Sequence, residues 1–158
     1  MLFLEEFAAS QQDRKLQVFA SDVSTDVVSY GRNGIYPDAI EADVSRERLM
    51  RFFTRSDHGY QVKRELRDTI IFTVQDILTD PPFPHLDMIS CRNLLIYLQP
   101  DEQEKILSLF HFSLRSGGFL FLGPAETIGK LEGRFEPVSS PLRIFRRIGQ
   151  PGIEPNLR

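Results

Sequence analysis

Short apolar runs recur along the chain and predict a set of buried β-strands. Four of them stand out, namely LQVFA at Leu16–Ala20, TIIFTV after Asp68, LDMIS, and FLFLG. Each run is nearly continuous rather than alternating, which is typical of strands covered on both faces of a parallel sheet. TIIFTV is rich in β-branched residues and predicts an interior strand.

Amphipathic stretches separate these runs and predict helices. The opening stretch MLFLEEF has apolar residues at helical spacing but no cap, so we expect it to be the second half of a helix from a longer protein. Ser24 caps a helix predicted over Thr25–Arg32, which Gly34 ends. A longer helix is predicted from Pro100 to the glycines of RSGGF. Its apolar face comprises Ile106, Leu109, Phe110 and Leu114.

The segment from Ile35 to Arg67 follows a different pattern and predicts an antiparallel insert. MRFFTRS and YQVKREL flank DHG, and aspartate and glycine tolerate the positive φ that a tight hairpin turn requires. Later in the chain, FEPV and LRIFRRI predict a closing antiparallel pair across SSP. ETIGKLEG is expected to form a short helix or turn, and residues 149–158 a tail or linker.

Strands that alternate with helices predict an α/β fold with a mostly parallel sheet. Sheets of this kind bind ligands beyond the carboxyl ends of their strands. Polar pairs stand at three of these ends, namely Ser21 with Asp22, Gln75 with Asp76, and Arg92 with Asn93. We therefore predict that acidic, amide and guanidinium groups from three strand ends gather around one ligand.

Composition and charge argue against several classes of protein. A chain of 158 residues with 41% apolar residues suggests one domain with a substantial core. The formal net charge is −3, and basic and acidic residues are interspersed along the chain, so the sequence contains no basic patch of the kind that binds nucleic acid or anionic lipid. No apolar run approaches the roughly 18 residues of a transmembrane helix, so we expect a cytoplasmic protein. One cysteine excludes an internal disulfide, and three scattered histidines argue against a metal site.

Taken singly, the residues at the strand ends each have a structural explanation beside a functional one. Asp22 can accept hydrogen bonds from both hydroxyls of a ribose, yet a solvated loop aspartate or helix cap is the commoner role. Asp76 either accepts from an adenine amine or forms a turn before the proline-rich loop. Arg92 either serves a ligand or pairs with a surface acid, and Asn93 either serves a ligand or caps the segment LLIYL.

Two further residues lie in the same stretch, SCRNLLIYL. Cys91 is expected to be a small buried filler rather than a nucleophile, because no cation or histidine surrounds it in the sequence. Tyr97 is by default a core aromatic whose hydroxyl finds a partner. An acid after a strand is also the ribose signature of nicotinamide-dependent dehydrogenases, although that class predicts neither the CRN block nor the closing antiparallel pair.

The combination of motifs resembles a known family. ISCRNLLIYL, with FASDVS upstream and LRSGGFLFLGPAETIG downstream, resembles the S-adenosylmethionine-dependent methyltransferases of the CheR type, which esterify glutamate side chains of chemotaxis receptors. GIYPDAIEADVSRERLMRFF and ILTDPPFPHLDMISCRNLLIYL look like the variety fused to methylesterase, PAS and histidine kinase modules. The resemblance covers residues 1–148 and implies a Rossmann-like sheet with an antiparallel last strand and a small antiparallel insert at about 35–67.

The resemblance implies a set of cofactor contacts. Asp22 matches the ribose-binding acid, and Asp76 with Ile77 matches the adenine-contacting pair, where the family more often has asparagine first. An aspartate there can accept from the adenine amine but cannot donate, as an amide can.

The SCRNLLIYL stretch carries the rest of the implied site. Cys91, Arg92 and Asn93 match the segment that lines the cofactor pocket. Tyr97 matches a tyrosine near the methyl-transfer site. The cofactor implied is S-adenosylmethionine, with S-adenosylhomocysteine as product, and the partner implied is a glutamate-bearing receptor or signalling protein.

One family feature is absent from the sequence. Family members carry an N-terminal helical subdomain, a first strand and a glycine-rich GxxxGEE loop that holds the methionine part of the cofactor, and no GxGxxG or GEE occurs here. We therefore expect a partial methyltransferase domain, inactive alone, from an active parent protein. The alternative is a non-catalytic regulatory or interaction module of a multidomain signalling protein.

Overall fold

The computed structural model describes residues 1–10 and 15–149, so the predicted tail lies almost wholly outside the described residues. The chain divides into two compact units, Met1–Asp76 and Ile77–Arg158, here called the N-terminal and C-terminal units. Within the described ranges, no helix combines the length and the apolar character needed to cross a bilayer.

The N-terminal unit contains a parallel strand pair and a small antiparallel sheet. Strand β1 pairs in parallel with β5, and β4 lies between β2 and β3 in the antiparallel sheet. The helices and strands are α1 Leu2–Ala9, β1 Val18–Asp22, α2 Thr25–Asn33, β2 Ile35–Tyr36, α3 Arg46–Phe52, β3 Phe53–Ser56, β4 Gly59–Val62, α4 Arg64–Arg67 and β5 Ile70–Val74.

Local sequence signals fix the helix that follows β1. The Ser24 hydroxyl accepts a hydrogen bond from the Val27 amide at 3.4 Å, and Gly34 ends α2 in the left-handed conformation with φ of 63°. Helix α2 packs closely on β5, because a Cβ atom added to Gly31 would lie 2.4 Å from the Phe72 ring. The predicted cap, helix and stop are therefore confirmed.

The antiparallel insert forms the predicted hairpin around a core of its own. Strands β3 and β4 pair from Phe53 with Val62 to Ser56 with Gly59. Residues 50–52 are not part of a strand as predicted but form the end of α3, and β3 begins at Phe53. The Met50 and Arg51 carbonyls at this helix end accept hydrogen bonds from the Lys63 ammonium. The buried core residues are Leu49, Phe52, Phe53, Val62 and Leu66.

The C-terminal unit is a four-stranded mixed sheet with one long helix. The strand order is β6-β7-β9-β8, in which β6 and β7 are parallel and the other pairs antiparallel, so the predicted closing pair is confirmed. A 3-10 turn at Gly129–Leu131 fulfils the prediction for ETIGKLEG. The elements are β6 Leu86–Cys91, α5 Pro100–Ser113, β7 Leu114–Leu122, β8 Phe135–Ser139 and β9 Ile144–Arg147.

Three predicted boundaries or environments are wrong. Strand β1 runs to Asp22 rather than ending at Ala20, because its ladder with β5 continues to the pair Asp22 and Val74. Helix α5 ends at Ser113, and the two glycines expected to stop it lie inside β7, in the irregular stretch between the pairs Leu86 with Leu114 and Met88 with Phe119. Strand β5 pairs only with β1 among the described strands, so it is not an interior strand.

Burial also differs between the two faces of the C-terminal sheet. Leu120 and Leu122 of β7 are fully buried in one core with Ile106 of α5. Met88 and Phe119 are register partners whose side chains remain 39% and 38% exposed. The near-continuous apolar runs predicted a sheet with both faces buried. Among the described residues, only one face of this sheet is buried.

A buried arginine stands out at the end of β9. Arg147 is 4% exposed, and its Nε and Nη2 atoms have no hydrogen-bond acceptor in the described part of the chain. Nearby His111 is 1% exposed, donates through Nε2 to the Ile148 carbonyl at 2.9 Å, and meets the Phe135 ring edge-on. Burial lowers the pKa of His111, and the charges of Arg147 and Arg134 add to this effect, while the hydrogen bond to Ile148 partly opposes it.

Candidate functional site

Two of the predicted carboxylates lie at one edge of the N-terminal unit. Asp22 is the last residue of β1, opposite Val74 of the parallel strand β5. The Gln75 amide then donates to the Asp22 carbonyl at 3.0 Å, and Asp76 follows directly. Because parallel strands end on the same side of a sheet, both carboxylates belong to the carboxyl edge, where ligands bind in this class of fold.

The Asp22 side chain also shapes the turn into α2. Its Oδ1 atom accepts a hydrogen bond from the Ser24 amide at 2.8 Å, which uses one of the two carboxylate oxygens. The residue is exposed, so its carboxylate faces solvent at the strand end. An exposed carboxylate in this place has the acceptor chemistry that the vicinal hydroxyls of a ribose require.

The C-terminal unit has a carboxyl edge of its own, formed by the parallel strands β6 and β7. Their parallel ladder ends with Cys91 opposite Leu122, so the next residues of both strands leave the sheet together. Asn93 has φ of 60°, a left-handed conformation that asparagine tolerates better than most residues. A Cβ atom on Gly123 would lie 2.6 Å from Asn93 Oδ1 and 2.9 Å from its amide nitrogen. Glycine at position 123 is what allows Asn93 to sit against the end of β7.

Arg92 and Cys91 differ sharply in exposure. The Arg92 guanidinium carbon lies 4.6 Å from the centre of the Phe121 ring, an exposed cation on an aromatic face. Cys91 is buried, and this burial together with the charge of Glu126 raises the pKa of its thiol to about 11. The thiol therefore stays protonated near neutral pH, which is the condition of an inert core cysteine.

Tyr97 does not lie in the core as its apolar neighbours suggested. It is 78% exposed at the end of a 3-10 turn, Leu95–Tyr97, and its hydroxyl makes no hydrogen bond to any residue that the structure describes. Leu95 anchors this turn because it is 1% exposed and belongs to the core of the unit. Ile77 is half-buried against the same core.

Glu126 is a feature of this edge that the sequence reasoning missed. It is 3% exposed, and its Oε1 atom accepts hydrogen bonds from the Leu94 and Leu95 amides, both at 2.8 Å. Its Oε2 atom accepts from the Gly123 amide at 2.6 Å. The signal in the sequence was an acid four residues after an apolar strand, in FLFLGPAE, and it looked like any loop glutamate.

The predicted site residues thus form two groups, one in each unit. The N-terminal unit brings Asp22 and Asp76 to one strand edge, and the C-terminal unit brings together Arg92, Asn93 and the turn that ends at Tyr97. Across residues 1–10 and 15–149, no three histidine, cysteine or acidic side chains are close enough to hold a metal ion.

Comparison with known proteins gives one consistent match. The family model for the CheR methyltransferase SAM-binding domain matches residues 1–144. A putative methyltransferase, Cher3, of Pseudomonas putida is 31% identical over an alignment of 140 positions that covers 82% of this chain and 51% of that protein. The chemotaxis protein methyltransferase of Escherichia coli is 34% identical over an alignment of 126 positions that covers 75% of this chain and 44% of that protein.

A further relative is much longer than this chain. An uncharacterized 104.1 kDa protein of Rhodobacter capsulatus is 36% identical over 155 residues, which are 98% of this chain and 16% of that protein. The chain therefore spans about half the length of the methyltransferases it matches and about a sixth of this larger protein.

Proposed function

Because the chain belongs to the CheR methyltransferase family, we propose that the protein containing it methylates glutamate side chains of chemotaxis-type receptors or related signalling proteins in the cytoplasm. The domain is a SAM-binding methyltransferase domain, so S-adenosylmethionine is the methyl donor. The observation that carries the proposal is that polar residues matching the family's cofactor positions follow the ends of parallel strands in both units.

The residues present suit an adenosyl group, which supports the assignment of roles. In the proposal the Asp22 carboxylate accepts hydrogen bonds from the ribose hydroxyls, while Asp76 and Ile77 contact the adenine. The turn after β6, with Cys91, Arg92 and Asn93, lines the pocket. The close approach of Asn93 to Gly123 supports this role, because it gives the turn one defined shape.

The proposed methyl transfer does not require a general base. Bound S-adenosylmethionine supplies a methyl group on a positively charged sulfur. A glutamate carboxylate is already ionised at neutral pH, so the chain must align it and replace its water shell rather than remove a proton. In the proposal the exposed Tyr97 hydroxyl donates a hydrogen bond to that carboxylate, and Arg92 contributes positive potential nearby.

The larger protein context is part of the proposal. A fragment of this length in the Rhodobacter capsulatus relative occupies only 16% of a 104.1 kDa protein. That proportion supports a methyltransferase domain embedded in a multidomain signalling protein, with methylesterase, PAS and kinase modules as the proposed neighbours.

Binding of S-adenosylhomocysteine to paired aspartate variants tests the proposed function. In the full-length protein, Asp22→Asn should weaken binding about tenfold, because an amide accepts weakly and loses the charge-assisted hydrogen bonds to the hydroxyls. Asp26→Asn is the control, since Asp26 is an exposed residue of the first turn of α2. Calorimetry should separate the two variants. Equal affinities would remove Asp22 from the site, and a wild-type protein that does not bind would reject the function.

A non-catalytic regulatory or interaction module of a multidomain signalling protein is the second candidate function. Equilibrium binding of radiolabelled S-adenosylmethionine to the full-length protein and to this chain separates the candidates. Binding by the full-length protein alone supports the enzyme, and binding by neither supports the module.

A further inference from the structure

We infer that Glu126 is a positioning residue that fixes the shape of the turn at residues 92–97. The inference rests on the proposed function, because it treats this turn as part of the cofactor pocket. It assigns no contact with cofactor to Glu126 itself. The side chain acts instead through the backbone of Leu94 and Leu95, which carries Asn93 on one side and Tyr97 on the other.

The hydrogen bonds of Glu126 begin where strand pairing ends. The ladder between β6 and β7 stops at Cys91 and Leu122, so the two following loops need another connection. One carboxylate provides it by accepting from the Leu94 and Leu95 amides through Oε1 and from the Gly123 amide through Oε2. Three short hydrogen bonds to one buried acceptor group make a directional link between the loops.

The same link constrains Asn93. Its backbone is left-handed, with φ of 60°, and a non-glycine residue keeps that conformation only where its surroundings impose it. The next two amides are held by Glu126, and Gly123 lies against the Asn93 side chain. A Cβ atom at position 123 would be 2.7 Å from Glu126 Oε2 and 2.6 Å from Asn93 Oδ1, so it would push these two groups apart.

A carboxylate is required at position 126 for a simple reason. Each of its oxygens only accepts, and every partner is an N–H donor. Glutamine has the same shape, but its amide nitrogen would face at least one of the three donors and leave that N–H buried without an acceptor. Glu126→Gln should therefore loosen the turn while changing the packing very little.

The experiment uses the full-length protein with two variants of this link and one control. Glu126→Gln removes a hydrogen-bond acceptor. Gly123→Ala adds a Cβ atom that would collide with Asn93 Oδ1 and Glu126 Oε2. Leu109→Ala is the control, because Leu109 is 2% exposed in α5 and its loss should lower the melting temperature without reaching the turn. Binding of S-adenosylhomocysteine is measured by calorimetry, and hydrogen–deuterium exchange of the peptide containing Leu94 and Leu95 is followed by mass spectrometry.

We expect both variants of the link to weaken binding about tenfold, equivalent to about 1.4 kcal/mol, and to speed amide exchange in that peptide. The control should melt earlier yet bind as the wild type does. A folded Glu126→Gln protein with wild-type affinity and wild-type exchange would overturn the inference. If Glu126→Gln does not fold, the inference is tested by the S-adenosylhomocysteine affinity and the amide exchange of Gly123→Ala. A wild-type protein that does not bind S-adenosylhomocysteine would reject the proposed function instead. Amide exchange needs no cofactor, so it would still test whether Glu126 holds the Leu94 and Leu95 amides.

Discussion

Tyr97→Phe is the substitution that separates chemistry from folding most cleanly in this chain. The tyrosine is 78% exposed, and its hydroxyl makes no hydrogen bond to the residues that the structure describes. Removing the hydroxyl therefore breaks no hydrogen bond within residues 1–10 and 15–149. The free energy of unfolding should change by less than about 0.5 kcal/mol, as for other exposed positions.

The expected loss of turnover follows from the role proposed for the hydroxyl. A hydrogen bond to a charged group contributes about 1.5–3 kcal/mol. If Tyr97 uses such a bond to align the attacking carboxylate with the methyl group, Tyr97→Phe should lower kcat by roughly 10- to 100-fold, since about 1.4 kcal/mol is a factor of ten. Affinity for S-adenosylhomocysteine, which is measured without the substrate glutamate, should stay within about twofold.

Methyl transfer from radiolabelled S-adenosylmethionine to a receptor domain measures kcat, and calorimetry measures the affinity for S-adenosylhomocysteine. Tyr30→Phe is a matched control, because Tyr30 is also exposed, at 53%, and lies in α2 of the other unit. An unchanged kcat in Tyr97→Phe would remove the hydroxyl from the mechanism. A parallel loss of cofactor affinity would show that Tyr97 acts in binding rather than in transfer.

Three other results are expected. Because burial lowers the pKa of His111 below its ordinary value of 6.5, the unfolded chain takes up a proton first as the pH falls. Stability should therefore decrease as the pH drops through and below 6.5, and melting curves of His111→Gln should lose that dependence; an identical slope would contradict it. Iodoacetamide at pH 7.5 should label Cys91 far more slowly in native than in unfolded protein, since the pKa of the buried thiol is about 11, and equal rates would contradict its burial. In the described structure β1 pairs only with β5 and β6 only with β7, so the chain alone should associate or melt near ambient temperature. Light scattering and calorimetry that show a monomer with a sharp transition well above ambient would refute this.

Features governed by neighbours in sequence were predictable. Ser24 and Gly34 bound α2 as predicted, because capping and left-handed termination act within a single turn. The DHG hairpin formed for the same reason. Helix α5 instead ends before its glycines, because pairing of β7 with β6, some thirty residues earlier, extends the strand back to Leu114. That competition is a long-range effect which local propensity does not contain.

The candidate site was predictable to a similar degree. Polar residues after apolar runs identified the strand ends, and the structure brings Asp22 and Asp76 to one edge and Arg92 and Asn93 to another. The environment of each side chain was harder to foresee. Tyr97 is exposed despite four apolar neighbours, and Glu126 is buried despite its charge. In both cases the outcome depends on which backbone groups meet across loops, and this information appears only in three dimensions.

The buried guanidinium at the end of β9 has a consequence for laboratory evolution. Arg147 leaves Nε and Nη2 without an acceptor in the described region, and buried N–H groups that lack an acceptor lower the free energy of unfolding. Leucine or methionine would fill much of the same space without that penalty. A selection for heat resistance should therefore enrich apolar residues at position 147 early. If arginine persists there under such selection, its charge serves the living cell in a way that folding alone does not explain.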